Sequence, residues 1–336
     1  MSFKRLDPED ITISAESVVA PAWSGQTPTL TTFFTASSQA NSNTGEYYYN
    51  IYQTSSDATG TAVQFAAAYG NRVGSGSVNI NGIVGKSPSA ITYGQYRTLI
   101  TGDEDTDFTF GTTTPNSVFI LSVNRSRYKE KLQPGSFNLT LTSGSNTIKL
   151  TDNSANITVV SYTDSGRVYD IISGSNGQSY DGGTGFTPSS GSYGKFLPDV
   201  GVIVLNGEAL KAPVVGGGLA AVINEASNSA TPRNLNLIYD MIRLGGSFSV
   251  RSEETITSNF VFVRVRNSEY NYSTNPSNIT GSGELRYDVM INSPQTYMTT
   301  VGLYNDNNDL LGVAKLSRPL LKDFTKEALV RIKLDY

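Results

Sequence analysis

Over residues 328–336 every second side chain is apolar: Ala328, Val330, Ile332, Leu334 and Tyr336 alternate with Leu329, Arg331, Lys333 and Asp335. A period of two belongs to a strand, and apolar against mainly charged residues marks one buried face and one wet face. The pattern places the last residues of the sequence inside a sheet. Upstream, 299–304 and 310–316 also read as strands, joined by Asn305-Asp-Asn-Asn-Asp309. Asn and Asp tolerate left-handed backbone angles and bond their own main chain, so this segment predicts a hairpin turn.

Composition extends the β reading to the rest of the 336 residues. Only 16% are charged, against a usual quarter. Ser, Thr, Asn and Gly take their place, which favours strands and turns over surface helices. Tyr47 to Tyr52, then Val63, Phe65, Ala67 and Tyr69 predict a hairpin, and 117–123 a short apolar strand. Phe137, Leu139 and Leu141, 147–150, 157–162, 168–172 and 200–205 continue the series. Residues 259–266 set Val261, Val263 and Val265 on one face against Phe260, Phe262, Arg264 and Arg266 on the other. That second face suits either a subunit contact or a solvated surface with Arg stems over Phe rings.

Helices are expected at 89–100, with Tyr93, Tyr96 and Ile100 on one side, and at 231–244. The second has Thr231 to cap, Pro232 at the first turn, Gly245 at the exit and an apolar face of Leu235, Ile238, Tyr239 and Ile242. A turn of helix is also expected at 219–225. The fold class is therefore mainly β, antiparallel sheets or a sandwich with a few short helices. Expected divisions are an N-terminal arm at 1–45, a β-rich domain at 46–205, and an α+β domain at 206–336 ending in the hairpin and terminal strand. Trp23, the single tryptophan, reads either as core filler or as an anchor of that arm. The Gly/Ser/Tyr-rich stretch 173–194 is expected to be a long surface loop, free to bind or ordered by a neighbour.

The absences narrow the chemistry. Without histidine, Ser-His and Cys-His nucleophile pairs and most zinc or non-haem iron sites are excluded. Without cysteine there is no disulfide framework, which fits folding in a reducing cytoplasm. A net charge of −4, from 25 basic and 29 acidic residues, gives no basic excess for nucleic acid. The opening residues lack the apolar core of a signal peptide, and no stretch is long and apolar enough to span a membrane.

Local motifs fall short of catalytic or cofactor patterns. Gly82-Ile-Val-Gly85-Lys86-Ser87 resembles part of a phosphate-binding loop, but Ile80 stands where its first glycine belongs. Asp103, Asp105 and Asp107 have calcium-loop spacing, yet Phe108 and Thr114 occupy the positions of the required Gly and Glu. They read as an acidic turn or an irregular ion site. Glycoside cleavage needs two facing carboxylates; Glu253 and Glu254 would point to opposite faces of a strand, and Asp323 and Glu327 precede the last strand. Asn124, Asn138, Asn156 and Asn278 match a glycosylation triplet by chance in an Asn- and Thr-rich chain. No catalytic, cofactor-binding or metal residue is assigned.

The C-terminal run 300–336, Phe3-Lys-Arg-Leu-Asp-Pro-Glu-Asp10, Asp107-Phe-Thr-Phe-Gly111, Arg125-Ser-Arg-Tyr-Lys129 and Ser192-Tyr-Gly-Lys-Phe-Leu-Pro-Asp199 together resemble virion structural proteins of large contractile-tailed (myovirus-type) phages of marine cyanobacteria. The likeness covers nearly the whole chain. It implies a place, the particle and most of all its tail or baseplate, rather than a chemistry. Together with the composition, the expectation is a non-enzymatic structural subunit without cofactor, made in the host bacterial cytoplasm, that assembles with other virion proteins and with copies of itself. Three other readings stay open. One is a host-glycan recognition module using Tyr47–Tyr49, Tyr180 and Tyr193; the others are a head or neck protein and a carboxylate-only glycan hydrolase.

Overall fold

The structure, a computed structural model, describes residues 4–35, 47–55, 58–78, 83, 87–180, 192–226 and 233–335. It is mainly β with antiparallel sheets and four α-helices. In chain order the strands begin β1 (Ile11–Pro21), β2 (Thr29–Leu30), β3 (Tyr48–Tyr52), β4 (Val63–Asn71), β5 (Ser117–Val123) and β6 (Lys131–Leu132). There follow β7 (Asn138–Ser143), β8 (Asn146–Asp152), β9 (Ser161–Thr163), β10 (Gly166–Ser175), β11 (Gln178–Ser179), β12 (Gly194–Leu197) and β13 (Val202–Asn206). The last are β14 (Ser247–Ser249), β15 (Arg251–Val265), β16 (Thr296–Tyr304), β17 (Leu310–Lys322) and β18 (Ala328–Asp335). The helices are α1 (Pro88–Thr101), α2 (Gly207–Lys211), α3 (Arg233–Arg243) and α4 (Asp288–Asn292).

Two compact units divide the chain: Val18–Glu254, and Met1–Ser17 with Thr255–Tyr336. The boundaries thus fall at 17/18 and 254/255 rather than at 45/46 and 205/206. Side-chain burial is the reason on the N-terminal side. Ala22, Trp23, Leu30 and Phe33 are buried in the larger unit's core, so this stretch is not an arm. Trp23 is core filler: its ring packs edge-on to Phe248 at 4.9 Å, and its Nε1 donates to the Phe248 carbonyl at 3.1 Å.

The larger unit is built on a twelve-stranded sheet, whose main path runs β2-β14-β7-β8-β10-β12-β13-β5-β4-β3. Its central strands are apolar throughout because both faces are covered: β13 (VIVLN) is buried at every position, and β5 at all but one. On one face, Phe119, Leu121, Ile203 and Leu205 join the main core with α3; on the other, Val118, Ile120, Val202 and Val204 pack with Tyr93 and Ile100 of α1. α1 starts where Ser87 caps it, the Oγ accepting from the Ala90 N–H at 3.4 Å, and stops at left-handed Gly102. α3 buries Leu235, Ile238, Met241 and Ile242. The expected cap residues Thr231 and Pro232 lie outside the described residues.

Three local expectations differ from the structure. Residues 157–160 are not strand; Asp152 accepts the Ser154 N–H at 3.0 Å in a turn, Val159 is exposed, and pairing resumes only at β9. Residues 219–225 form no helix: Ala220 takes a positive φ, and Leu219, Ala221 and Ile223 are buried alternately. The short helix lies earlier, at α2, capped by Asn206. The supposed loop 173–194 is structured at both ends. β10 and β11 close a tight hairpin through Asn176 and Gly177, both at positive φ, and Ser192 and Tyr193 are buried; residues 181–191 lie outside the described set.

In the smaller unit, β15 runs between β1 and β18, and β16 and β17 form a separate two-stranded sheet. β15 and β18 pair from Ser258↔Asp335 to Val265↔Ala328. The alternation holds from Ala328 to Ile332, but Leu334, expected on the buried face, is exposed. Val261, Val330 and Ile332 are buried, with Leu6, Val263, Val301, Leu303, Ala314 and Leu316 packed against them. Tyr336 lies outside the described residues.

Candidate assembly surface

The residues that stand out in the sequence are mostly used to hold the fold. Asp107 receives Arg72 at 3.0 Å, Arg97 at 3.5 Å and the Tyr93 hydroxyl at 3.3 Å. Burial, first of all, pushes the Tyr93 phenol up to about 12. Asp103 closes its own turn, accepting from the Thr106 hydroxyl at 2.5 Å and the Asp105 N–H at 3.0 Å, and these bonds hold its carboxyl below the usual range. The three aspartates therefore do not converge, and among the described residues no three acidic side chains are grouped to hold a metal ion. Of the phosphate-loop-like run, only Ile83 and Ser87 are described. Ser87 donates to the Gly74 carbonyl at 2.7 Å besides capping α1.

Glu254 pairs with Lys129 at 2.7 Å, Glu327 with Arg264 at 2.6 Å, and Asp323 caps the Thr325 N–H at 2.8 Å. Asp199 binds the Arg167 backbone N–H at 2.7 Å and its guanidinium at 2.6 Å. Arg125 lies over the Tyr128 ring at 4.6 Å and donates to the Tyr128 carbonyl at 2.6 Å. Beside this pair, Asn50, Ser122 and Asn124 line an open cleft of about 450 Å³. It contains no carboxylate and offers one cation already bound to the chain. The tyrosines suggested for sugar stacking split: Tyr48 and Tyr180 are exposed, but Tyr49 and Tyr193 are buried. Tyr49 donates to Asn236 and Tyr193 to the Gly217 carbonyl, so neither presents a ring face to a ligand.

A different kind of surface is found on the smaller unit, and it is made of strands rather than reactive groups. β1 is exposed at every residue from Ile11 to Val18, on both of its faces. Among the described residues, β17 pairs with no strand but β16, and β18 with none but β15, so each leaves one edge that no described strand pairs. In the middle of β17, Gly312, Ala314 and Leu316 turn inward, where Ala314 and Leu316 meet the small core, while Leu311, Val313 and Lys315 face out. Leu311 is 71% exposed, Val313 61% and Leu329 of β18 66%. Soluble monomers rarely leave neighbouring large apolar side chains this open along unpaired strands. On β15 the expected mixed face is present: Arg264 is tied to Glu327, and the guanidinium of Arg331 in β18 lies over the Phe260 ring at 5.2 Å.

The surface is held stiffly from behind. Lys322, at the end of β17, is fully buried and donates to the Asn267 carbonyl at 3.0 Å, Asn271 Oδ1 at 2.6 Å and the Asp323 carbonyl at 3.0 Å. Three neutral oxygens thus satisfy its three protons and fix the 267–271 loop to the strand. Nothing in the sequence marks this pin, because a lysine next to Asp323 at a strand end reads as a solvated one. Comparison with known protein families, with curated proteins and with solved structures finds no match to this chain.

Proposed function

We propose that the chain is a structural subunit of a contractile-tailed phage particle, in its tail or baseplate, and acts by protein–protein assembly rather than by catalysis. The observation that carries this reading is the exposed apolar strand surface of residues 11–18 and 310–334, on edges that no other described strand pairs. Such edges are used for pairing with another chain, and a protein that left them bare would aggregate. The resemblance of the chain to myovirus virion proteins supports the same conclusion and supplies the kind of particle. The motif residues quoted for it serve packing and loop closure: Phe108, Phe110, Tyr128, Phe196 and Leu197 are all buried.

The test is particle composition. Mass spectrometry of gradient-purified particles, followed by separation of tails from heads, is expected to find the chain in fixed stoichiometry in the tail fraction. Its recovery with heads would move the assignment to the capsid or neck. Its absence from purified particles would overturn the reading.

A further inference from the structure

The pin at the end of β17 holds an amine against an amide. Lys322 and Asn271 are 0% and 2% exposed, and Lys322 Nζ lies 2.6 Å from Asn271 Oδ1. The Asn267 carbonyl accepts from both nitrogens, from Lys322 Nζ at 3.0 Å and from Asn271 Nδ2 at 2.7 Å. It therefore gathers the amine and the amide nitrogen at one point. The remaining partner of Lys322 is the Asp323 carbonyl, and among the described residues no carboxylate pairs with it. A buried ammonium without a counter-charge is disfavoured against the neutral amine, which is a nucleophile.

We propose that Lys322 and Asn271 join in an isopeptide bond, made by the folded chain on itself. For a usual acceptor angle, the contact to Oδ1 sets Asn271 Cγ roughly 3–3.5 Å from Nζ, a near-attack distance. Turning the amide about its Cβ–Cγ bond presents the face of that carbon to the amine. Nζ then bonds to Cγ, the Cγ–Nδ2 bond breaks, and its electron pair stays with Nδ2. The two protons that Nζ gives up go to the departing nitrogen, which leaves as ammonium. One ammonium and one amide are consumed and one of each is formed, so the step needs no other reactant. Burial keeps water from competing for the carbon.

The place of the pair gives the bond a use. Asn271 lies in the loop that leaves β15 and Lys322 ends β17, so the bond ties the β1-β15-β18 sheet to the β16-β17 sheet across 51 residues. The core cluster between these sheets is small: Val261, Val330 and Ile332, with partly buried neighbours. Small scaffolds are commonly stapled, and a chain without cysteine has no disulfide for it. The acidic side chains nearest in sequence are engaged elsewhere, Glu269 by the Arg266 N–H at 2.9 Å and Asp323 by the Thr325 N–H at 2.8 Å. With neither carboxylate on the pair to carry protons, the bond is expected to form slowly, after folding. The inference concerns the chain's own covalent structure and does not rest on the assembly reading.

Intact-mass spectrometry of the full wild-type chain, denatured after prolonged incubation in the folded state at neutral pH, tests the bond. The mass is expected to fall short of the sequence by one ammonia. A tryptic digest is expected to lose the cut after Lys322 and to yield a peptide linked through it to the one that holds Asn271. Lys322→Arg and Asn271→Ala are each expected to restore the full sequence mass. A wild-type chain of full sequence mass would overturn the proposal. So would an ammonia loss that survives in either variant, or one mapped to Asn176 or Asn206, each followed by a glycine whose nitrogen its side chain can attack instead. A chain kept unfolded in denaturant is expected to hold its full mass, because only the fold brings the two side chains together; an equal loss there would overturn the self-made bond.

Discussion

Asp199 sits in one of the sequence runs that looks most like a signature, yet its work is local. Burial alone would raise its carboxyl, but the Arg167 guanidinium and backbone N–H more than reverse this and hold it below the usual range. The folded chain therefore prefers the ionised form. Its contribution is complete above the ordinary aspartate value of about 3.9 and is lost as pH falls through the lowered folded value. Asp199→Asn is expected to lower the melting temperature at neutral pH, and the difference from wild type to disappear in acid. A pH series of thermal melts checks this. A Cβ at Gly166 would lie 2.4 Å from Asp199 Oδ2, so the clasp also explains why glycine stands there at φ +100. With Asp103 occupied by its turn and Asp107 by two guanidinium groups, chelation is expected to change nothing. Melts with and without EDTA should superimpose, and a large drop on chelation would reopen the acidic turn as an ion site. None of these pairings follows from spacing: Asp199 and Arg167 are 32 residues apart, and only the antiparallel crossing of β10 and β12 brings them together.

Among the elements, α3 was legible because its apolar residues recur at helical spacing and the sheet needs a cover. Ile238 is fully buried beneath it, and Ile238→Ala is expected to destabilise the protein by about 2–5 kcal/mol, measured by denaturant unfolding. The β16–β17 turn was legible too. Asn305 Oδ1 accepts the Asn307 N–H at 3.0 Å and the Asp309 N–H at 2.8 Å, and Asn308 takes the left-handed angle. Where the reading went astray, a polar side chain had outcompeted the apolar pattern. Residues 157–160 alternate well enough for a strand, but the turn held by Asp152 and Asn153 diverts them. At 219–225 the Gly216–Gly218 approach is decisive. A Cβ at Gly218 would lie 1.9 Å from the Ala212 carbonyl oxygen, and from there the Leu219 and Ala221 N–H groups both bond back to the Leu210 carbonyl, with Ala220 between them at positive φ.

At the scale of the molecule, the terminal strand belongs to a unit with a small core of its own. Val330 and Ile332 pack with Val261, while the larger unit has two extensive clusters. Calorimetry is expected to resolve separate transitions, and deleting 330–336 to remove the smaller while the larger persists. Loss of both together would show that the two units unfold as one. The sequence by itself determined the β class, the hairpin, the helix faces and the alternation of the last strand, because each depends on neighbours two to four residues away. Only the tertiary structure decided that 18–35 belongs to the main core, that Lys322 is a buried pin and that β17 keeps an open edge. Those facts depend on pairings between segments far apart in the chain, and on which backbone edges remain unpaired once the sheets have formed; local periodicity carries no trace of either.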